Sequence, residues 1–274
     1  MHPDAQRKAS QYLDIAANEF GERLVGFYVV GSAAMGGYRP RQSDVDFVAV
    51  LDDALAGDCG RVRKVQRRAL LRGGARAATR LAFQSGACNG TYLRASDLTR
   101  PVTEIEPIAS HVGVFHTCGV GFDVNPVQWQ TFAQHGVALR GAPPAQLGLQ
   151  PQPELLRPWT LDNLNSYWKR VATKAATGKS SHTVLTTSRW VTAWVATGTA
   201  RMHCTLATGD IVSKERAGEY ALDTFDAEWH PIIRDAVGHL RREKPDPAFR
   251  DRRVRYETTG RFGLHVIDSA NELF

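Results

Sequence analysis

Gly31-Ser32 is followed by eleven residues and then by Asp44-Val45-Asp46. Gly31 has no Cβ, so the backbone there can approach a ligand closely. Ser32 offers a hydroxyl and a backbone N–H to an anion, and successive N–H groups at such a bend form a phosphate-sized nest. Asp44 and Asp46 lie two apart, which in an extended strand puts both carboxylates on one face. Carboxylates held side by side repel unless a cation sits between them. The pair therefore suits Mg²⁺ or Mn²⁺ shared with phosphate oxygens. A metal so placed offsets the charge that develops on a transferring phosphoryl group. The pattern points to a nucleotide donor whose phosphates are metal-bound, either ATP or another NTP, or a nucleotide-sugar.

Two strands have to present these residues. Leu24–Val30 (LVGFYVV) is a short apolar, β-branched and aromatic run, and it ends on Gly31. Val45–Leu51 (VDFVAVL) alternates Asp46 against Val45 and Phe47, as a strand with one polar face does. Gly36-Gly37 and Pro40 break the chain between them. A helix is expected over Pro3–Phe20, stopped at Gly21, and another over Asp53–Arg72, stopped at Gly73-Gly74. Ala78–Phe83 and Asn89–Arg94 suit two further strands. A helix follows Asn125, with Pro126 at its first position, and ends near Gly136. A short extended piece then leads to Gly141.

Residues 142–158 (APPAQLGLQPQPELLRP) are rich in Pro, Gln and Gly and read as a linker. Beyond them the periodicity is helical over Thr160–Thr177, His182–Ala207, Ser213–Leu222, Asp226–Arg242 and Val254–Leu273. The expected organisation is an α/β domain over 1–141 with a mixed sheet and flanking helices, the linker 142–158, and an all-α bundle over 159–274.

The 274 residues carry a net charge of +6, with 43% hydrophobic and 23% charged residues. That composition is globular, and the charge favours an anionic ligand. No apolar run approaches a bilayer span and the N-terminus has no signal-like core, so a cytoplasmic, membrane-free protein is expected. Cys59, Cys88, Cys118 and Cys204 form no CxxC pair and are expected to be reduced thiols. The basic run Arg61–Arg72 reads as a solvated helix face. Aromatic–basic interleaving of the kind that binds single strands is absent, so no nucleic-acid partner is expected. A monomer is expected.

The stretch GSAAMGGYRPRQSDVDFVAV resembles the strand–Gly-Ser–loop–DxD signature of the nucleotidyltransferase superfamily, and within it the branch of the streptomycin and spectinomycin adenylyltransferases. TARMHCTLATGDIVSKERAGEYAL (199–222) is similar to that branch's helical domain, and NPVQWQTFAQHGVALRG to its interdomain segment. The resemblance spans roughly residues 20–245. It implies a donor-binding set of Gly31, Ser32, Ser43 and Lys214, metal ligation by Asp44 and Asp46, and an arginine matched by Arg201. On its own Lys214 reads as a surface lysine at a helix start, with Ser213 a plausible cap.

Two positions depart from that pattern. The family's third carboxylate is a Glu eight residues before an Asp-Leu pair. Asp97-Leu98 is present here, but eight residues back stands Asn89. An amide cannot take a proton from an attacking hydroxyl. Candidate replacements, His116, Asp123 and Glu104, each read as loop or surface residues. In the helical half, the acidic residue expected about ten positions before Arg201 is Val191, flanked by Trp190 and Trp194. Those tryptophans are core residues of one helix face or, with Arg201, the lining of an acceptor cleft. His203, on the core-facing side of its helix, is another candidate base or equally a satisfied buried histidine.

The expectation is a Mg-dependent transferase that moves a nucleotidyl (adenylyl) group to a hydroxyl of an aminoglycoside-like small molecule, with catalytic residues Asp44, Asp46 and Asn89. The loss of the carboxylate at 89 leaves open glycosyl transfer from a nucleotide-sugar to a peptide or natural-product acceptor. An inactive nucleotide-binding protein is the third reading.

Overall fold

The computed structural model describes residues 1–40, 42–55, 58–72, 88–121, 123–178 and 187–273. The chain divides into two compact units, Met1–Pro153 and Glu154–Phe274.

The first unit is a six-stranded sheet. Its strands are β1 (Leu24–Val30), β2 (Val45–Leu51), β3 (Cys88–Arg94), β4 (Ala109–Val112), β5 (Phe115–Cys118) and β6 (Val137–Arg140), in the order β5-β4-β3-β2-β1-β6. Only β2 and β3 run parallel; the other pairs are antiparallel. The parallel pair needs a crossover, and α3 (Cys59–Arg72) lies on it. The expected strand at Ala78–Phe83 lies outside the described residues.

Helix α1 (Pro3–Phe20) begins as its sequence dictates. Pro3 stands in the first turn, and the His2 ring accepts from the Asp4 N–H. Its buried face (Ala5, Ala9, Tyr12, Ala16, Phe20) packs with Val62 and Val65 of α3 over Phe27, Phe47 and Tyr92 of the sheet. The opposite face of the sheet (Tyr28, Val30, Val48, Val50, Leu93) is covered by Trp129 and Phe132 of α4 (Pro126–His135). Asn125 caps α4 by accepting from Gln128 N. The segment after β6 stays with this unit: Leu147 and Leu149 pack on the same cluster, and Gln150 bridges to Pro101.

The basic face of α3 has a specific partner. Arg61, Lys64 and Arg68 converge on the carboxylate of Glu19, near the end of α1. Together they hold that carboxyl below its usual range against the opposing effect of burial, which is the largest single influence on it. Where a helix was expected from Asp53, the backbone makes a short 3₁₀ turn over Asp53–Leu55, and α3 starts only at Cys59.

The expectation of four reduced thiols is overturned. Cys59 at the start of α3 and Cys118 at the end of β5 form a disulfide, with Cα atoms 5.8 Å apart and 59 positions between them in sequence. Nothing in that spacing signals proximity; the fold creates it. Cys88 and Cys204 are free.

The second unit is helical. It comprises α5 (Leu156–Asn163), a π turn (Leu164–Trp168), α6 (Lys169–Ala176), α7 (Arg189–Thr208), α8 (Lys214–Thr224), α9 (His230–Leu240) and α10 (Arg252–Asn271). Residues 182–186, expected as the first turn of the long central helix, lie outside the described residues. Helix α10 crosses α6 so closely that a Cβ on Gly260 would lie 2.1 Å from Ala176 N. Among the described residues no helix is long and apolar enough to cross a membrane.

Two buried histidines make acid stability a test of the packing. His111 meets the Tyr12 hydroxyl at 2.6 Å, and Tyr92 donates to Tyr12 in turn. His203 lies between the hydroxyls of Tyr220 (2.8 Å) and Ser269 (3.2 Å). Burial lowers His111 to about 3; burial, with repulsion from His265, lowers His203 to about 4. Both are neutral when folded, while the unfolded chain takes up protons near pH 6.5. Their stabilisation is therefore complete above that value and is lost as pH falls below it, by roughly 1.4 kcal/mol per pH unit per histidine. Urea unfolding between about pH 7 and about pH 4.5 should show a shallower loss for His203→Gln than for the wild type. Thiol titration of the denatured chain should find two reactive cysteines before reduction and four after it, the difference being the Cys59–Cys118 pair.

Candidate active site

The site is built at one end of the two central strands. The antiparallel register of β1 and β2 sets Val30 against Asp46, and the parallel register of β2 and β3 sets Asp46 beside Asn89. Asp46 thus stands between the end of β1 and the start of β3. It shares its sheet face with Val30, Val48, Val50 and Leu93. Asp44 precedes the strand by one residue. Both carboxylates are half-buried.

Gly31 is fitted to that carboxylate. It ends β1 with φ +61°, and a Cβ placed on it would lie 2.5 Å from Asp46 Oδ2. Only glycine meets both conditions without strain. The chain then turns through the short helix α2 (Gly31–Ala34), where Met35 N donates to Gly31 O and Gly37 N to Ser32 O. Ser32 is half-buried at this turn.

The loop between Ser32 and Asp44 is pinned from both sides. Arg39 N donates to Ser43 Oγ at 3.0 Å while Ser43 N donates to Arg39 O at 2.9 Å, so Ser43 closes the turn that delivers Asp44. Tyr38 is buried and donates to Asp4 Oδ2 at 2.7 Å, and Lys8 Nζ donates to the Tyr38 hydroxyl at 2.9 Å. The Tyr38 hydrogen bond, with Lys8 and Arg7 beside it, holds the Asp4 carboxyl down at about 2. Sequence reasoning missed this anchor. The only signal was an isolated aromatic residue in a Gly-rich loop.

Asn89 is 6% exposed, and its Oδ1 accepts from Gly113 N, in the β4–β5 turn, at 2.9 Å. That turn is gripped again by Gln66 of α3, whose Nε2 donates to Gly113 O and Phe115 O. The amide at position 89 thus ties a hairpin tip to the strand that carries it. The candidate replacement bases go elsewhere. His116 lies 3.1 Å from Cys59 Sγ beside the disulfide, and Glu104 is exposed near Arg100. Burial raises the Asp123 carboxyl. Among the described residues, Cys59, His116 and Cys118 gather three atoms of metal-ligand type, but the two sulfurs are bonded to each other.

In the second unit, Lys214 is the first residue of α8, and the Ser213 side chain caps that helix by accepting from Arg216 N. Trp190, Trp194 and Arg201 all lie on α7, at spacings that follow one helical stripe. Trp190 and Trp194 stack at 5.7 Å and 11°, and Trp194 also meets Trp168, tilted, at 5.1 Å and Tyr167, edge-on, at 6.1 Å. Both tryptophans remain half-exposed, and Val191 packs in partly against the neighbouring core. His203 is the satisfied buried histidine that its position suggested.

Comparison with known proteins follows the division into two units. Residues 161–256 match the family model described as aminoglycoside adenylyltransferase, C-terminal domain. Among solved structures the whole chain is similar to spectinomycin adenyltransferase AAD(9) from Enterococcus faecialis with ATP and spectinomycin. The TM-score is 0.65 and the identity 13%, over 94% of this chain and 99% of that one. No curated protein matches the sequence. The likeness is one of fold: a nucleotidyltransferase-fold domain of mixed sheet and flanking helices, followed by a helical domain.

Gly31→Ala tests the fit at Asp46. The substitution should cost ~1–2 kcal/mol through the left-handed backbone alone. A further loss should come from the clash with Asp46, and it should disappear in an Asp46→Ala background. Urea denaturation of the four proteins in the double-mutant cycle measures that coupling.

Proposed function

We propose that the chain is a nucleotidyltransferase that moves the nucleotidyl group of an NTP, ATP first among them, to a hydroxyl of a small-molecule acceptor. The observation that carries this reading is Asp46, set between the Gly31 turn and β3 with Asp44 just ahead of it. An all-oxygen pair of carboxylates on one face fits Mg²⁺ or Mn²⁺. When bound, that metal supplies charge compensation on the phosphates of the donor.

The remaining work falls to the chain's own groups. The Gly31-Ser32 turn offers backbone N–H and hydroxyl donors to phosphate oxygens. Ser43 holds Asp44 in place from the other side of the loop. Lys214 adds a cation at the start of α8, where the helix end also favours an anion. The acceptor oxygen forms a bond to the α-phosphorus in line with the bridging oxygen to the β-phosphorus, that bond breaks, and pyrophosphate leaves. Asn89 cannot take the hydroxyl proton, and its oxygen already accepts from Gly113. The proton therefore passes to water, and Asn89 acts as a positioning residue.

Support for this reading comes from the similar solved structure, a complex with ATP and spectinomycin, and from the family matched by the second unit. The acceptor is less cationic than an aminocyclitol antibiotic. Val191 stands where the resemblance expects an acid, and the Trp190–Trp194 stack offers flat apolar surface beside Arg201. Sugar transfer from a nucleotide-sugar, which position 89 leaves open, gains no support from either comparison.

Pyrophosphate release from a panel of NTPs with hydroxylated acceptors is the direct assay. Asp46→Asn should lower turnover by at least ~100-fold, equivalent to roughly 2.7 kcal/mol. Asn89→Glu, which restores a carboxylate able to accept both the Gly113 N–H and a proton, should raise turnover. Absence of pyrophosphate release across the panel, or an Asn89→Glu protein that loses activity while folding normally, overturns the reading.

A further inference from the structure

The second unit has an open surface pocket of about 450 Å³, lined by Arg189, Arg250, Arg252 and Arg255 with Ser188 and Phe249 among its other walls. Four guanidinium groups on one pocket are the cationic counterpart of the carboxylate pair in the first unit. They repel one another unless an anion lies among them.

Carboxylates offset part of this charge. Asp235 is fully buried and pairs with Arg189, its Oδ1 accepting from Arg189 Nε at 3.0 Å. Asp246 and Asp251 accept from the helix-start N–H groups of Ala248 and Arg253. Arg250 and Arg252 are exposed and form no ion pair among the described residues. Arg255 is 5% exposed. Its Nη atoms donate to the carbonyls of Phe249 and Thr187, while its Nε is buried with no hydrogen-bond partner. Burial lowers the Arg255 pKa, and the charges of Arg189 and Arg252 lower it further against the opposing effect of Asp235.

The backbone adds to the positive potential. The two 20-residue helices α7 and α10 both begin at this pocket, at Arg189 and Arg252. Ser188, the cap of α7, makes no side-chain cap hydrogen bond, so its hydroxyl is available to a ligand.

We propose that this pocket is a second anion site, which binds a small polyphosphate or phosphate ester through the paired N–H groups of Arg250 and Arg252, the unpartnered Nε of Arg255 and the start of α7. Guanidinium groups match tetrahedral oxyanions bidentately, and Phe249 and Pro245 give an organic portion an apolar wall. The site belongs to the helical unit alone and does not depend on the transfer reaction of the first unit.

Isothermal titration calorimetry of the full chain with sodium pyrophosphate in EDTA tests it, because chelation removes any metal-assisted binding at Asp44 and Asp46. The wild type should bind. Arg261→Ala, an exposed change further along α10, should bind equally well. Arg250→Ala/Arg252→Ala should bind at least ~tenfold more weakly, and Arg250→Lys/Arg252→Lys should recover part of the loss. No heat from the wild type overturns the proposal, and so do equal affinities in the wild type and the double alanine variant. Binding that falls with Lys214→Ala and not with the arginine pair also overturns it, because it places the anion at the donor site.

Discussion

Asp46 stands on β2 and Asp44 one residue ahead of that strand, and the local structure of the first unit fixes the position of both carboxylates. Asp46 is fixed by registers on both sides, opposite Val30 and beside Asn89. Asp44 is delivered by a loop that Ser43 closes and that Tyr38 anchors to α1. Gly31 gives up its side chain so that the carboxylate of Asp46 can lie against the backbone. An isolated acidic pair would relax by swinging apart. Here the sheet fixes one member and the pinned loop the other. Folding energy thus holds both carboxylates in place.

The second unit meets a different constraint. Its helices approach at small residues: Gly260 of α10 against the backbone of α6, and Ala193, Ala196 and Ala200 of α7 within the same core as Ala217 and Ala221 of α8. Phe225, Phe249 and Phe262 fill the space between them. Tyr167, Trp168, Trp190 and Trp194 form a separate aromatic group. The arginines gather where α7 and α10 begin.

Elements whose signals are local were legible in the sequence. The strands around Gly31 and Asp46, the Asn125 and Ser213 caps, and the helices of the second half all carry short-range patterns that the structure follows. The β4–β5 hairpin did not show itself. Its strands have four residues each, too short for alternation to register, and its turn is held by Gln66 and Asn89 from distant parts of the chain. Asn89 was identified as chemically different from a carboxylate, yet its hydrogen bond to Gly113 depends on a contact 24 positions away. The Cys59–Cys118 bond and the arginine pocket were invisible for the same reason. Each is assembled from segments whose proximity is a tertiary fact.

The Cys59–Cys118 bond also bears on how this molecule behaves among its own copies. β5 is the edge of the sheet, and Val114 and Phe115 beside it are more than half exposed. An open edge flanked by apolar side chains is a template for strand addition by another chain. The bond fastens the last residue of β5 to α3, and Gln66 fastens its first. A strand held at both ends cannot peel away to recruit a neighbour or flatten to extend the sheet. Colloidal behaviour is thereby linked to thiol chemistry. The covalent clamp that plays no part in handling phosphates also guards one of the two borders of the sheet, β6 being the other.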